Sequence, residues 1–433
     1  MDWSVWLVGA AFFSFLMIGV PVGFALTGVA MIGTLLSWGV PGLFQIVSTT
    51  YGDATGFIYI AIPLFILMAN FLERSGLADD LYEIIYLWSG SLKGGLAIGT
   101  VIICAIFGAM SGVSSVATVT MGMIALPAMF KRGYNRSMVL GSIMAGGALG
   151  ILIPPSIIMI IYAGIANVSV GKLFMAGIFP GILLCIIFIV YIGVRCYINP
   201  AMGPAIAESH SLKQKIASLK GIILPILLVI FVLGSIYKGI ATPTEAAGIG
   251  AFGALLCMII YGRFNFSNLK SALLGTVKLN AMVMWIIIGA ACFTHYLAFI
   301  GFQDIIQEMM LSLHISRWWI LISIQILFFF CGMILEPAAI ITLLGPILVP
   351  IVQALGFDLI WFGVLFVINM TMGYLTPPFG FNLFILKGVA PPTVTMEHLY
   401  RSVTPFCILQ IICLILVIVF PEIALWLPMN MMN

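Results

Sequence analysis

One pattern occurs twice in the chain, as Gly150-Ile-Leu-Ile-Pro-Pro-Ser156 and as Gly373-Tyr-Leu-Thr-Pro-Pro-Phe379. A shift of 223 residues (373 minus 150) aligns the two copies without a gap, and it also aligns Gly122 with Gly345, Pro127 with Pro350 and Gly133 with Gly356. The residues of these three aligned pairs are all glycine or proline, which interrupt helices. A structural repeat keeps such residues while its apolar positions change. The chain is therefore predicted to consist of two related halves.

Composition places both halves in a membrane. Of the 433 residues, 63% are hydrophobic and 7% are charged, which leaves too little polar surface to cover a water-soluble globule. The first apolar run, Trp3 to Ser37, is too long for a signal peptide and is expected to remain as a membrane helix bent at Pro21. The eight cysteines form no Cys-x-x-Cys pair, so neither a disulfide nor a metal site is predicted.

Several runs are long enough to cross a bilayer, which takes about 20 apolar residues. They are predicted at 3–36, 137–166, 174–197, 221–236, 244–262, 271–299, 359–390 and 402–428. A further run from Phe57 to Leu72 leads into an amphipathic stretch, Glu73 to Ser89, whose pattern suits a scaffold helix lying in the membrane interface.

Two apolar regions are interrupted and are not predicted to be simple spans. At 95–130 and 318–353 an apolar run is interrupted, by Ser111-Gly-Val-Ser-Ser115 and by Leu335-Glu-Pro337, and then resumes. Each half is short for a hydrocarbon core of roughly 30 Å. Because non-helical backbone at membrane depth must be buried in protein or face water, both regions are predicted to be re-entrant hairpins.

The positive charges indicate how the chain crosses the membrane. With both hairpins re-entrant, an odd number of spans separates them and places their bases on opposite sides. Of the 17 Lys and Arg, all but Lys172, Lys238 and Arg317 then lie on the cytoplasmic side, as the positive-inside rule requires. The N-terminus is predicted to be cytoplasmic and the C-terminus periplasmic, and the repeat is inverted.

The predicted fold is an all-α polytopic membrane protein with inverted repeats, two re-entrant hairpins and two discontinuous helices. Its segments are scaffold helices and an interfacial arm at 1–94, a first transport unit at 95–197 with a broken helix at 137–166, a cytoplasmic linker at 198–220, further scaffold helices at 221–316, and a second transport unit at 317–433 with a broken helix at 359–390 and a final span.

The first hairpin tip carries candidate ion ligands. Gly112 and the hydroxyls of Ser111, Ser114 and Ser115 interrupt a helix at membrane depth. Freed carbonyls and hydroxyls are hard oxygen ligands suited to Na⁺, and the N-terminus of the next half-helix favours a carboxylate. The serines could instead bond back to helix carbonyls or cap the second half-helix.

The second tip places Glu336 between Gly332 and Pro337, and the proline pushes the backbone before it out of the α region. An ionisable residue at this depth indicates a functional role, whether binding a cation, ordering the tip or facing a substrate cavity. The alternative is an acidic cap on the following half-helix.

The proline pairs split two long spans, because proline removes an amide donor and clashes with the preceding turn. Each pair is predicted to produce a discontinuous helix that faces a hairpin tip; the alternative is a proline kink that serves helix packing. The sodium candidates are Ser111, Gly112, Ser114, Ser115, Gly332, Glu336, Pro337, Gly373 and Thr376, and the substrate candidates are Ser115, Pro154, Ser156, Glu336, Pro377 and Asn382.

Three further features bear on mechanism. Thr242-Pro-Thr-Glu245 is interpreted as a capping box with a structural role. His295, inside an apolar run, is interpreted as a helix-end packing residue rather than a proton relay. The chain has no GxxxxGK[ST] loop, so energy is expected from an ion gradient or a partner.

Together the motifs resemble the large membrane subunit (DctM-type) of the tripartite ATP-independent periplasmic (TRAP) transporters. The stretches that carry the resemblance are Ala61-Ile-Pro-Leu-Phe65, Gly108 to Thr118, Gly150 to Ser156, Ala241-Thr-Pro-Thr-Glu-Ala-Ala247, Gly332 to Pro337 and Leu375-Thr-Pro-Pro-Phe-Gly-Phe-Asn-Leu-Phe384, and it covers nearly the whole chain. It implies an elevator mechanism, Na⁺ coupling, a separate small four-helix membrane subunit and a soluble periplasmic protein that delivers the substrate.

In that family the ion sites use backbone oxygens of hairpin tips and broken helices. The matching positions here are Ser111 to Ser115, Gly332 to Pro337 and Gly373 to Pro378. Val113 departs from the Ser-Gly-Ser-Ser of many relatives, so the roles of the individual serines stay open.

The resemblance leads us to expect Na⁺-driven import, in a bacterial inner membrane, of a carboxylate-bearing organic acid such as sialic acid, a C4-dicarboxylate or a sugar acid. No arginine stands where it would hold a second carboxylate, so a monocarboxylate fits at least as well as a dicarboxylate. We expect no enzymatic activity, no cofactor beyond the coupling Na⁺ and no nucleic-acid partner. The alternatives are a stand-alone sodium/anion symporter of related architecture and, more remotely, an intramembrane serine hydrolase using Ser111 or Ser115 with His295.

Overall fold

The computed structural model describes residues 10–12, 14–15, 17–89, 92–205, 211–302 and 315–431. Within these residues the regular structure is helical and contains no β-strand, which confirms the predicted all-α fold. The extreme N-terminus, on which the predicted orientation depends, and residues 206–210 of the predicted linker lie outside the described residues.

The first half contains α1 (Val22–Ala54), α2 (Ala61–Arg74), α3 (Leu77–Ser89), α4 (Gly95–Ser111), α5 (Ser114–Lys131), α6 (Arg136–Ala148), α7 (Ile157–Ala166) and α8 (Val170–Ile198). A short helix, α9 (Leu212–Ser218), joins the halves. The second half contains α10 (Lys220–Tyr237), α11 (Pro243–Ile260), α12 (Phe266–Phe299), α13 (Arg317–Gly332), α14 (Pro337–Ala354), α15 (Leu359–Gly373), α16 (Phe381–Val389), α17 (Met396–Val419) and α18 (Glu422–Met429).

Nine helices of the described residues are long and apolar enough to cross a bilayer. The shorter apolar helices are the parts of interrupted elements. Helices α4 and α5 form the first hairpin and α13 and α14 form the second, while α6 with α7, and α15 with α16, form the first and second broken helices. Both predicted hairpins and both predicted discontinuous helices are present.

The two repeats interlock through these elements. Helices α4 and α5 pack against α6 of their own repeat, and α13 and α14 pack against α15 of theirs. The second arm of each hairpin also crosses to the other repeat, since α5 packs against α16 and α14 packs against α7. Each hairpin is therefore held by both broken helices.

The scaffold differs from the sequence prediction at its start. The sequence predicts a helix bent at Pro21 that ends near residue 36; in the structure a helix begins at Val22, directly after Pro21, and runs on to Ala54. It breaks at Gly39, whose φ of 66° and ψ of −158° only glycine adopts readily. Beyond the break the chain folds back onto α12, where Thr50 Oγ1 lies 3.3 Å from Cys292 Sγ. The prediction failed because Gly39-Val-Pro41 has the composition of a loop.

The predicted final span at 402–428 is also divided. Helix α17 ends at Val419 and α18 starts at Glu422, on either side of Pro421. A proline at this position removes an amide donor, so the helix does not continue in one piece. The capping box predicted at Thr242 is confirmed: its side chain accepts from Glu245 N, while Glu245 Oε2 accepts from Thr242 N at 2.8 Å.

Candidate ion and solute site

Each hairpin meets the broken helix of its own repeat through a pair of glycines. A Cβ atom on Gly108 would lie 2.7 Å from Gly150 Cα, and one on Gly373 would lie 2.8 Å from Gly332 Cα. These spacings leave no room for a side chain, so backbone packs on backbone. The hairpin tips are thereby fixed at the depth of the helix breaks.

The first tip is closed by a left-handed glycine. Gly112 has a φ of 62°, and its N–H donates to Gly108 O at 2.9 Å, which ends α4. A Cβ on Gly112 would collide with the carbonyl oxygen of Pro155 in the first broken helix. Ser111 Oγ donates to Val113 O at 3.2 Å, which is the local bonding considered as an alternative to ligand binding. Ser115 is half-buried at the same tip.

A second serine of this tip joins the two halves. Ser114 Oγ donates to Asn382 Oδ1 at 2.9 Å, and Asn382 Nδ2 donates to Met144 O at 3.1 Å. Ser114 is 1% exposed and Asn382 is fully buried. The first hairpin and both broken helices thus meet in one cluster of hydroxyl, amide and carbonyl oxygens.

Two other predicted candidates bond within their own turns. Ser156 Oγ donates to Ile151 O at 2.6 Å and accepts from Met159 N at 3.5 Å, so it caps α7. Thr376 Oγ1 donates to Met372 O at 2.7 Å. The neighbouring Pro154–Pro155 and Pro377–Pro378 bonds, which occupy equivalent positions in the two repeats, are both cis.

The second tip carries a buried carboxylate. Glu336 has an extended backbone and occupies the N-cap position of α14, which starts at Pro337. Its side chain faces the N–H groups of Ala338 and Ala339 without making a capping hydrogen bond, and Oε2 is buried without a hydrogen-bond partner. Such an oxygen is costly unless something else satisfies it.

Tyr374 follows the break of the second broken helix and lies near the second tip. Asn382 N donates to Tyr374 O at 3.1 Å, and the Tyr374 phenol is near Glu336. The second tip is also bonded to its broken helix, because Phe379 N donates to Met333 O at 3.3 Å. Sequence reasoning did not single out Tyr374, although its place directly after the Gly373 break was a usable signal.

A cavity of about 780 Å³ lies between the scaffold and the hairpin elements. The scaffold contributes residues between Gly52 and Tyr59 and part of α12, and the hairpins and broken helices contribute parts of α7 and α14. This volume lies within the usual range for small-molecule sites. Its polar lining side chains are Asp53, Tyr59, Asn167, Thr294, Thr342 and Gln353.

The donor set at the tips suits a hard monovalent cation rather than a transition metal. No group of three or more His, Cys, Asp or Glu side chains within the described ranges could hold a metal ion. Hydroxyl, amide and carbonyl oxygens at helix breaks are the groups that coordinate Na⁺ in transporters with broken helices. The Glu336 side chain supplies one more buried oxygen, at the second tip.

Inverted repeats in which re-entrant hairpins face broken helices define a secondary-transport fold. The family model described as "Tripartite ATP-independent periplasmic transporter, DctM component" matches residues 10–423, and the chain belongs to this family. The chain is therefore a multi-pass bacterial inner-membrane component of a transporter and not an enzyme.

Two relatives agree with this assignment, and a solved structure shares the fold. The chain is 37% identical over 372 residues to the C4-dicarboxylate TRAP transporter large permease of Pseudomonas aeruginosa, covering 85% of this chain and 86% of the relative. It is 29% identical to the sialic acid TRAP transporter large permease of Vibrio cholerae over 98% of both chains. The crystal structure of the Alcanivorax borkumensis YdaH transporter matches with a TM-score of 0.67 over 97% of this chain and 98% of that chain; at 14% identity this likeness shows the fold alone.

Proposed function

We propose that this chain imports a carboxylate-bearing organic acid together with Na⁺ by an elevator mechanism. A periplasmic binding protein delivers the solute, and a small four-helix membrane subunit completes the complex. Membership of a tripartite family supports the partners. The orientation proposed is a cytoplasmic N-terminus and a periplasmic C-terminus, in line with the distribution of Lys and Arg.

The observation that carries the proposal is the set of hydrogen bonds around Asn382, which accepts from Ser114 Oγ, donates to Met144 O and donates its backbone N–H to Tyr374 O. These bonds join both repeats at the depth where the helices break. The proposed Na⁺ ligands are the backbone and hydroxyl oxygens of Ser111 to Ser115, Gly332 to Pro337 and Gly373 to Thr376. With its second oxygen unpaired, the Glu336 carboxylate is placed to balance a bound cation.

The same geometry favours an anionic solute. Helices α5 and α14 both start at a tip, and a helix N-terminus carries a positive partial charge that attracts a carboxylate. Ser115, Pro154, Ser156, Pro377 and Asn382 are the proposed solute neighbours. None of these neighbours is a Lys or Arg, so a monocarboxylate such as sialic acid fits at least as well as a dicarboxylate.

The elevator mechanism is supported by the close packing between the hairpins and the broken helices and by the cavity between these elements and the scaffold. Glycine pairs join the hairpins to the broken helices without an intervening side chain, whereas a large cavity lies between the scaffold and parts of α7 and α14. The hairpins and broken helices are therefore proposed to move together against α1, α2, α11 and α12.

The test is uptake into proteoliposomes that contain this chain with its small subunit. Radiolabelled sialic acid and succinate are supplied separately, with an inward Na⁺ or choline gradient, and with or without the binding protein. Uptake that needs both Na⁺ and the binding protein supports the proposal and identifies the solute. Na⁺-dependent uptake without the binding protein would favour the stand-alone symporter, and uptake that is indifferent to Na⁺ would refute the coupling.

A further inference from the structure

Asp53, which lines the cavity between the scaffold and the hairpin elements, is paired with His295. His295 Nε2 lies 2.8 Å from Asp53 Oδ2, and the two side chains are 25% and 57% exposed. Asp53 comes from the end of α1 and His295 from α12, so the pair joins two scaffold helices. His295 therefore contacts a second scaffold helix near the end of α12, and its interpretation as a packing residue rather than a proton relay stays a prediction.

Asp53 is the one charged residue among the described lining residues of the cavity. Tyr59, on the same wall, interacts electrostatically with Asp53. The opposite wall carries uncharged polar groups, including Asn167, Thr342 and Gln353. The electrostatic potential inside the cavity therefore depends mainly on whether His295 balances Asp53.

We propose that the Asp53–His295 pair determines which solute charge can occupy this cavity. A protonated His295 beside Asp53 leaves the wall close to neutral, so that it admits an anion; without His295, the uncompensated Asp53 carboxylate repels one. Because the Coulomb energy is proportional to the charge of the solute, a dianion is repelled more strongly than a monoanion. This inference rests on the proposed function for its choice of an anionic solute.

The first test does not depend on transport. A cysteine is introduced at the exposed wall position by Gln353→Cys, and its reaction rates with an anionic and a cationic methanethiosulfonate reagent are compared. Labelling of the chain with native Gln353 gives the background from its eight cysteines. When His295→Gln is combined with Gln353→Cys, the ratio of the anionic to the cationic reaction rate should fall by about threefold or more. This is the size of effect expected from one unit charge at short range in water. Adding Asp53→Asn should restore the ratio, and an unchanged ratio in His295→Gln overturns the inference.

The second test uses uptake of a monoanion and a dianion. His295→Gln should raise KM by about threefold for the monoanion and about tenfold for the dianion, since the Coulomb energy doubles with the charge. The double variant Asp53→Asn/His295→Gln should reverse both changes. The exposed Glu397–Arg401 pair, 2.6 Å apart and outside the cavity, provides the control Glu397→Gln.

The outcomes separate the two proposals. An equal loss of kcat for every solute, with KM unchanged, would show that the pair only braces the scaffold and would overturn the inference. If the unmodified protein transports no organic acid, the proposed function fails, while the reagent ratio still decides the role of the ion pair.

Discussion

Ser114 Oγ lies 2.9 Å from Asn382 Oδ1, although 268 residues separate the two in sequence. The bond connects the tip of the first hairpin to the second broken helix, and Asn382 holds Met144 O of the first broken helix with its other side-chain atom. A change at this single bond therefore reaches both repeats.

Ser114→Ala should weaken Na⁺-dependent uptake. It leaves Asn382 Oδ1 buried without a donor, which costs about 1–3 kcal/mol. We expect a lower thermal unfolding temperature in detergent and a Na⁺ concentration for half-maximal uptake raised by about threefold or more. Ser142→Ala is the matched control, because Ser142 is equally buried but bonds to Val139 O of its own helix. An equal effect of both substitutions would contradict the assigned role.

Gly108→Ala should damage the first hairpin. The added Cβ would stand 2.7 Å from Gly150 Cα, and overpacking of this kind costs about 1–3 kcal/mol. Uptake and thermal stability should both fall. The control is Gly193→Ala in α8, where a Cβ meets nothing within 4 Å and alanine should be neutral or stabilising by up to about 1 kcal/mol. Full activity of Gly108→Ala would show that the backbones can separate without loss.

Glu336→Gln should separate stability from function. Replacing a buried carboxyl group that has one oxygen without a hydrogen-bond partner should raise the thermal unfolding temperature in the absence of Na⁺. The Na⁺ concentration for half-maximal uptake should rise about tenfold, because hydrogen bonds or contacts to a charged group contribute about 1.5–3 kcal/mol. Sodium titrations of uptake provide the measurement, with Glu397→Gln as the exposed control. Unaltered Na⁺ dependence would remove Glu336 from the ion site.

Thr242→Ala should affect stability alone. The substitution removes the N-cap of α11, a loss of about 1 kcal/mol, at a point outside the hairpins and the broken helices. Thermal unfolding should occur at a lower temperature while KM and Na⁺ dependence stay unchanged. Thr404→Ala, which removes a hydroxyl bonded to the preceding turn of α17, controls for the loss of a threonine. A changed Na⁺ dependence would mean that the capping box reaches the transport site.

Much of the fold could be predicted because its interruptions are encoded locally. Glycine and proline act on their own turn, so the tips at Gly112 and Glu336 and the breaks after Gly150 and Gly373 were visible in the sequence. The break within α1 at Gly39 was not visible in the sequence, because a glycine with a proline two residues later indicates a loop as readily as a kink.

The contacts within the site could not be predicted, because they join distant parts of the chain. The sequence contains no signal that Ser114 selects Asn382 or that His295 selects Asp53. The glycine contacts were hidden for another reason: the shift of 223 residues aligns Gly108 with Cys331, one position before Gly332. This difference of one residue between the repeats concealed that Gly108 and Gly332 occupy equivalent positions, as the structure shows.

The glycine contacts also limit how distances within the molecule can change. Two spin labels on a hairpin and its broken helix should report one constant separation throughout the transport cycle, because Gly108 on Gly150 and Gly332 on Gly373 leave no gap into which either element could slip. Labels on opposite walls of the cavity, such as at Thr294 and Gln353, should instead show two populations of distance whose proportions shift when Na⁺ or solute is added.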